Sequence, residues 1–450
     1  MSDVTTTDLY EVTMALSYVH EGMDAPATFS LFVRRLPPGR GFLVSAGLEP
    51  ALDYLSGFRV TRGDVRRFAA ALDRDPAELE PLLGLAFRGE VRAVPEGRVV
   101  HAGEPLLEVT APLPQAQLVE SYLLALVSHQ TTVASKAARS VLAAAGHPVI
   151  DFSLRRAHGP QAGFQAARTG GIVGFAGTSN VAAATRLGLT ASGTMAHSYV
   201  EAFPDEEAAF RAFARAHPGP VTFLVDTYDT ERGVVTAARV LRELHRGTGC
   251  GIRLDSGDLD ALSRRSRELL DAAGLDGTRI VVSGGLDEYG VDELIRAGAP
   301  VDVFAVGTKV GTSADAPYLD SAYKLVEYDG RPVMKLSSAK VTAPGRKQVF
   351  RTPGGPDVLA LWDEPRPEGA EPLLRTVMRG GRRIGPPDDV AAAHARFVAD
   401  VTALPASARR VRDPAPVAPR VSTRLAELTD AVRGRLAGTV SPAAAGGGRA

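Results

Sequence analysis

From about residue 148 to 310, short apolar runs alternate with helical patterns, and this alternation constrains the fold more than any other feature of the chain. The runs are Pro148–Phe152, Gly171–Phe175, Leu189–Ser192, Val221–Val225, Gly251–Leu254, Arg279–Val282 and Val301–Val306. Between the later ones, Val235, Ala238, Leu241 and Leu244 recur at helical spacing, as do Leu262, Leu269 and Leu270. Short β-branched runs bounded by glycine and alternating with helices predict parallel βαβ units. Their spacing of roughly 20–30 residues is what each crossover needs. The runs end in polar groups: Ser153 and Arg155, Thr178 and Ser179, Thr194 and His197, Asp226, Asp255 and Ser256, Ser283, and Gly307–Thr308. An open sheet spreads such groups along one edge, whereas a barrel gathers them at its C-terminal rim. Convergence favours a barrel.

The flanking sequence reads differently. Ala27–Val33 alternates like a strand, 92–109 carries turn signals between antiparallel strands, and Gln115–Val127 reads as a helix. Tyr323–Tyr328 and Val333–Leu336 flank Asp329–Pro332, a hairpin signal. The proline-rich stretch Arg351–Gly369 reads as loop, and Ser422–Leu436 as a docking helix. The expected fold is therefore α/β, an irregular TIM-like α/β barrel plus an α+β domain formed by N-terminal and C-terminal segments. The expected organisation is an N-terminal α+β domain (1–125), the barrel with the active site (126–320) and C-terminal strands and loops returning to the first domain (321–405). A docking-helix region (406–440) and a disordered tail (441–450) complete it.

Composition narrows the partners. A net charge of -1 gives no electrostatic case for nucleic acid or an anionic membrane. Phosphate binding must come from a local site. The single cysteine, Cys250, excludes an intrachain disulfide, reads as a small core residue and fits a reducing compartment. No signal peptide or membrane span is apparent, so a cytoplasmic protein is expected.

Five segments carry the chemistry. His197 lies in Gly193–Tyr199, a small-residue loop rich in hydrogen-bond donors. Neutral imidazole can accept a phosphoryl group without a separate base; the competing reading is a half-buried histidine bonded to backbone. Arg253–Asp258 sets an arginine on a strand and two carboxylates at its end, suited to a ribose diol or a hydrated Mg²⁺. Asp258 reads equally well as a helix cap. Ser283–Gly285 and Gly307–Ser313 are glycine-rich turns that can offer N–H groups to phosphate, though neither has the Walker A pattern. Phe152 and Arg155 follow the first barrel strand, where an arginine can hold a carboxylate or pyrophosphate; the competing reading makes Phe152 a core residue and Arg156 a surface charge. On residue pattern alone, Tyr10 reads as a helix-face core residue. Zinc-hydrolase and serine-esterase motifs are missing.

Taken together, 7–15, 32–37, 152–163, Gly177–Asn180, the His197 loop, Leu224–Tyr228, 251–259, Gly307–Ser313 and Tyr323–Val326 resemble the nicotinate phosphoribosyltransferases of the type II phosphoribosyltransferase group. The resemblance implies condensation of nicotinate with phosphoribosyl pyrophosphate to nicotinate mononucleotide and pyrophosphate. ATP is the implied co-substrate, hydrolysed through a transient phosphohistidine on His197, with Mg²⁺ as cofactor; Asp255 is the second catalytic candidate. It implies a nicotinate site of Tyr10, Phe152, Arg155, Thr194 and Ser179, the two aromatic rings sandwiching the pyridine. It assigns the phosphoribosyl group to Arg253, Gly284, Gly285, Gly307 and Thr308. It further implies a homodimer with shared sites, the Tyr10 segment coming from the neighbour. Related nicotinamide enzymes carry aspartate where Ser179 stands; its absence favours the acid. The rival readings are transfer to nicotinamide, a decarboxylating quinolinate transferase, a barrel enzyme for another phosphorylated sugar, and a catalytically dead ligand-binding or scaffold protein.

Overall fold

The computed structural model describes residues 4–336 and 342–440. The expected disordered tail, 441–450, lies outside the described residues.

The strand Pro26–Val33 is buried along nearly its whole length, which requires a partner on each edge and cover on both faces. It pairs antiparallel with Pro105–Pro112 on one side and Ser321–Tyr328 on the other. N-terminal and C-terminal segments thus share one seven-stranded sheet, which also holds Glu90–Ala93 and Arg375–Arg379. The hairpin is tighter than its sequence signal implied. Asp329 and Gly330, with φ of 50° and 70°, form the whole turn. Arg331 and Pro332 already pair with Tyr328 and Glu327, while Val333–Leu336 forms no strand. A two-residue turn with both φ positive matches the strand twist, so the ladder closes early. The supposed loop Arg351–Gly369 also contains a strand, Val358–Leu361, paired with Lys347–Arg351.

The second sheet has six parallel strands in the order Gly177–Thr178, Val149–Asp151, Val303–Val306, Arg279–Val282, Gly251–Leu254, Thr222–Leu224. The first of these in sequence, Val149–Asp151, lies beside the last, Val303–Val306, which is how a barrel closes. The ring remains open elsewhere. Beyond Thr178 there is a single bridge to Ala191, and among the described residues no ladder joins that point to Thr222–Leu224. Two expected strands are corrected. Gly171–Val173 ends the helix Pro160–Val173, with Gly174 its left-handed cap, and Leu189–Ser192 contributes only the bridge. The helical glycines explain the first error, because a Cβ on Gly171 would lie 2.8 Å from Leu189 and 2.9 Å from Val390. They let this helix approach its neighbours.

Helices Thr230–Glu243, Leu259–Ala272 and Glu288–Ala297 follow successive strands, each opened by an aspartate that accepts backbone N–H groups: Asp229, Asp258 and Asp287. The expected helix over Gln115–Val127 is two helices, Leu113–Leu118 and Glu120–Ala143, meeting at Val119. The longer contributes Leu123 and Val127 to the core of the antiparallel sheet and Ala134, Ala137 and Ala138 to that of the barrel. The C-terminal helix Thr423–Val440 docks through buried Leu425 and Val432.

Candidate active site

Parallel strands aim their carboxyl ends at one rim, and polar residues on or just after them meet there. Arg253 is buried on Gly251–Leu254. A buried guanidinium needs its donors satisfied. Its Nε donates to Ser283 Oγ at 2.8 Å and its Nη2 to Asp255 Oδ1 at 2.6 Å. Nη1 reaches Thr194 Oγ1 and the Met195 carbonyl, both at 3.4 Å, and the guanidinium lies 5.1 Å from the Phe152 ring centre. Ser283 also donates to Asp255 Oδ1. Burial alone would raise the Asp255 carboxyl, but the Ser283 hydroxyl and Arg253 hold it below the usual carboxylate range.

His197 is the first residue of the short helix His197–Glu201 and is 40% exposed. Both ring nitrogens face side chains. Nδ1 lies 3.2 Å from Thr227 Oγ1, and Nε2 lies 3.9 Å from Asp255 Oδ2. Asp226, at the end of Thr222–Leu224, accepts from the Asp255 N–H at 3.0 Å and from Ser256 Oγ at 2.6 Å through Oδ2. Its buried Oδ1 has no partner. Asp258 is the cap of the next helix, accepting from Ala261 N–H, and Cys250 is buried.

The glycine turns close on the same group. Gly284 has φ +93°, and a Cβ there would lie 1.8 Å from the Asp255 carbonyl oxygen. Gly307 approaches the Phe152 carbonyl, which a Cβ would meet at 3.1 Å, and Thr308 opens the turn beyond it. A cleft of about 220 Å³ is lined by Phe152, Leu154, Arg155, Ser179, Gly193, Thr194, Met195 and Arg253. Phe152 is therefore half-buried in the cleft, not core, while Arg155 and Arg156 are exposed.

Tyr10 stands apart. It is 47% exposed, so the core reading from its pattern is corrected. It lines a separate groove of about 660 Å³ with Ser121, Tyr122, His129, Gln161 and Gln165. Burial, then the Glu120 and Glu11 carboxylates, push its phenol up.

Sequence reasoning gave no role to Thr227 or to the unpaired oxygen of Asp226. The signal for both was position, since each follows an apolar strand run. Among the described residues no cluster of three metal-ligating side chains is preformed.

A histidine beside an arginine-braced carboxylate, with glycine turns and a cleft of mixed polar and apolar lining close to that arginine, suits a group-transfer enzyme for phosphate-bearing substrates. Comparison makes this specific. Residues 5–128 match the nicotinate phosphoribosyltransferase N-terminal domain, and residues 148–349 match the nicotinate phosphoribosyltransferase family. A Mycobacterium tuberculosis nicotinate phosphoribosyltransferase, pncB2, is 45% identical, with 94% of each chain covered. The Bacillus subtilis nicotinate phosphoribosyltransferase is 43% identical over 80% of this chain and 76% of that one. The crystal structure of human nicotinic acid phosphoribosyltransferase superposes with a TM-score of 0.84 at 33% identity, covering 95% of this chain and 99% of that one. The chain belongs to the nicotinate phosphoribosyltransferase family and is an enzyme of that type.

Proposed function

We propose that the chain transfers the phosphoribosyl group of 5-phosphoribosyl 1-pyrophosphate to nicotinate, releasing nicotinate mononucleotide and pyrophosphate in the salvage of nicotinate for NAD. ATP hydrolysis is coupled to the transfer through His197. The observation that carries this reading is the placement of His197 between Thr227 and Asp255, whose carboxylate is held by Arg253 in the wall of the Phe152 cleft.

In this reading a ring nitrogen of His197 displaces ADP from the γ-phosphorus of ATP, and water later cleaves the phosphohistidine. Added charge of about -2 beside the substrates would favour the closed arrangement, and its loss would favour product release. Nicotinate lies on Phe152, with Ser179, Thr194 and Arg155 at the cleft wall supporting its carboxylate. Arg253 and Asp255, with the Gly284–Gly285 and Gly307–Thr308 turns, hold the phosphoribosyl group. Charge at the leaving pyrophosphate is met by cations and fixed N–H dipoles in a site that excludes water.

Asp226 fits Mg²⁺, because its unpaired Oδ1 adds a free oxygen beside Asp255. Mg²⁺ takes one or two carboxylates and completes its shell with water and substrate phosphates, so no preformed cage is needed. Bound there, it would neutralise pyrophosphate oxygens.

A homodimer with shared sites is supported by Tyr10, an exposed ring in a groove outside the cleft. No described helix is long and apolar enough to cross a membrane, and the cytoplasmic assignment remains part of this proposal.

The test is product formation from phosphoribosyl pyrophosphate and Mg²⁺ with nicotinate or nicotinamide, with and without ATP. Nicotinate turnover raised by ATP is expected. Preference for nicotinamide, or no turnover with either base, would overturn the reading.

A further inference from the structure

The two glycine turns are tied together at two levels, and the ties differ in kind. Buried Glu288 ends the first turn, and Asp315, an exposed residue, lies near the end of the second. Lys136, 1% exposed on the long helix, spans them, with Nζ 2.5 Å from Glu288 Oε2 and 2.8 Å from Asp315 Oδ1. Arg40 donates twice to Asp315, at 2.7 and 3.0 Å, and Arg139 donates to Glu288 at 2.8 Å. Burial opposes it, yet Arg40 and Lys136 hold the Asp315 carboxyl far below its usual range. These cations are committed, because removing one partner would strand a buried charge.

Lys309 is the one basic side chain within the two turns, 283–288 and 307–316. It is 48% exposed, and its Nζ lies 3.2 Å from Asp287 Oδ2. Asp287 does not depend on it. Its Oδ1 accepts from the Tyr289 and Gly290 N–H groups, both at 3.1 Å, capping the helix Glu288–Ala297. Exposed pairs of this kind contribute little, so the lysine can leave at small cost and the cap survives.

We infer that Lys309 is a substrate-binding residue, whose ammonium exchanges Asp287 for the 5′-phosphate of the phosphoribosyl group. This rests on the assignment of the two turns to that group. The N–H groups of the turns orient the phosphate oxygens, and Lys309 supplies the full positive charge that backbone dipoles lack. Arg253 is engaged by Asp255 and Ser283 and does not duplicate this charge.

Three variants test it. Lys309→Met should raise the KM for phosphoribosyl pyrophosphate about tenfold, the worth of one charge-assisted hydrogen bond, with the nicotinate KM unchanged. Lys309→Arg should recover most of the loss. Asp287→Asn keeps a capping side chain and frees the lysine, so its KM should equal or fall below that of the wild type. A merely structural clasp predicts instead that Asp287→Asn and Lys309→Met match, and that result would overturn the inference. Calorimetry with ribose 5-phosphate separates the lysine from the reaction. Binding weakened about tenfold by Lys309→Met, with pyrophosphate binding unchanged, supports it even if the wild type forms no nicotinate mononucleotide. Unchanged ribose 5-phosphate binding, or weakened pyrophosphate binding alone, refutes it.

Discussion

Gly284→Ala isolates a steric requirement that can be worked out from distances. A Cβ at Gly284 would lie 1.8 Å from the Asp255 carbonyl oxygen. Recovering ordinary contact at about 3.4 Å requires the Gly284 turn and the Asp255 backbone to part by about 1.6 Å. The positive φ adds a further cost of order 1–2 kcal/mol for any residue with a Cβ. Asp255 cannot shift alone, because Arg253 and Ser283 both donate to its carboxylate and His197 Nε2 faces it at 3.9 Å. A misplacement of about 1 Å in a reacting site costs about 100-fold. The expected fall in kcat/KM is therefore at least about 100-fold, equivalent to about 2.7 kcal/mol. Gly285 is the internal control. It also has a positive φ, +71°, but a Cβ there meets nothing within 4 Å. Gly285→Ala should incur only the backbone cost and stay within about tenfold of the wild type. The assay is initial rate against phosphoribosyl pyrophosphate concentration, with circular dichroism confirming that both variants fold. Gly284→Ala within tenfold of the wild type, or Gly285→Ala equally damaged, would refute the reasoning.

Three other outcomes are expected. His197→Ala should retain slow transfer and lose stimulation by ATP; stimulation that persists would remove the histidine from the coupling. Ser179→Asp places a carboxylate in the cleft wall and should reduce nicotinate use relative to nicotinamide, and equal nicotinate turnover would sink this role. Glu104 is buried with Oε1 unpartnered, and burial, then the Asp357 carboxylate, push its carboxyl up to about 8. A raised carboxyl contributes stability that is complete below its unfolded value of 4.5 and is lost as pH rises through about 8. Urea midpoints should fall across that window in the wild type and fall less in Glu104→Gln; parallel curves would contradict the assignment.

Much of the fold was legible because parallel βαβ units leave a strong mark. Fully buried strands such as Val303–Val306 read as continuous apolar runs, and helices such as Leu259–Ala272 begin at aspartate caps. Errors arose where one signal has two physical causes. Glycines in Gly170–Val173 resembled strand punctuation but serve close helix packing. Proline density around Val358–Leu361 hid a strand of four residues. Buried Arg40, Lys136, Arg139 and Glu288, which with Asp315 form one ion-pair set, left no sequence signal, since charged residues are ordinarily surface residues and these come from separate parts of the chain.

The misread run Leu189–Ser192 and the catalytic candidate His197 share a cause. A complete strand there would have paired onward and closed the ring toward Thr222–Leu224. Instead the chain touches Thr178 once, at Ala191, and then crosses Gly193–Ala196 without regular pairing. That crossing carries Thr194 to Arg253 and sets His197 between Thr227, which follows one strand, and Asp255, which follows the next. A closed barrel would direct the end of each strand toward the shared axis and fill the interior with side chains. The opening lets a loop bring an imidazole to the rim from the side, with one nitrogen held by a hydroxyl and the other facing a carboxylate. Regular strand patterning and this placement of His197 exclude one another, so the weakest strand signal in the series falls where the site is built.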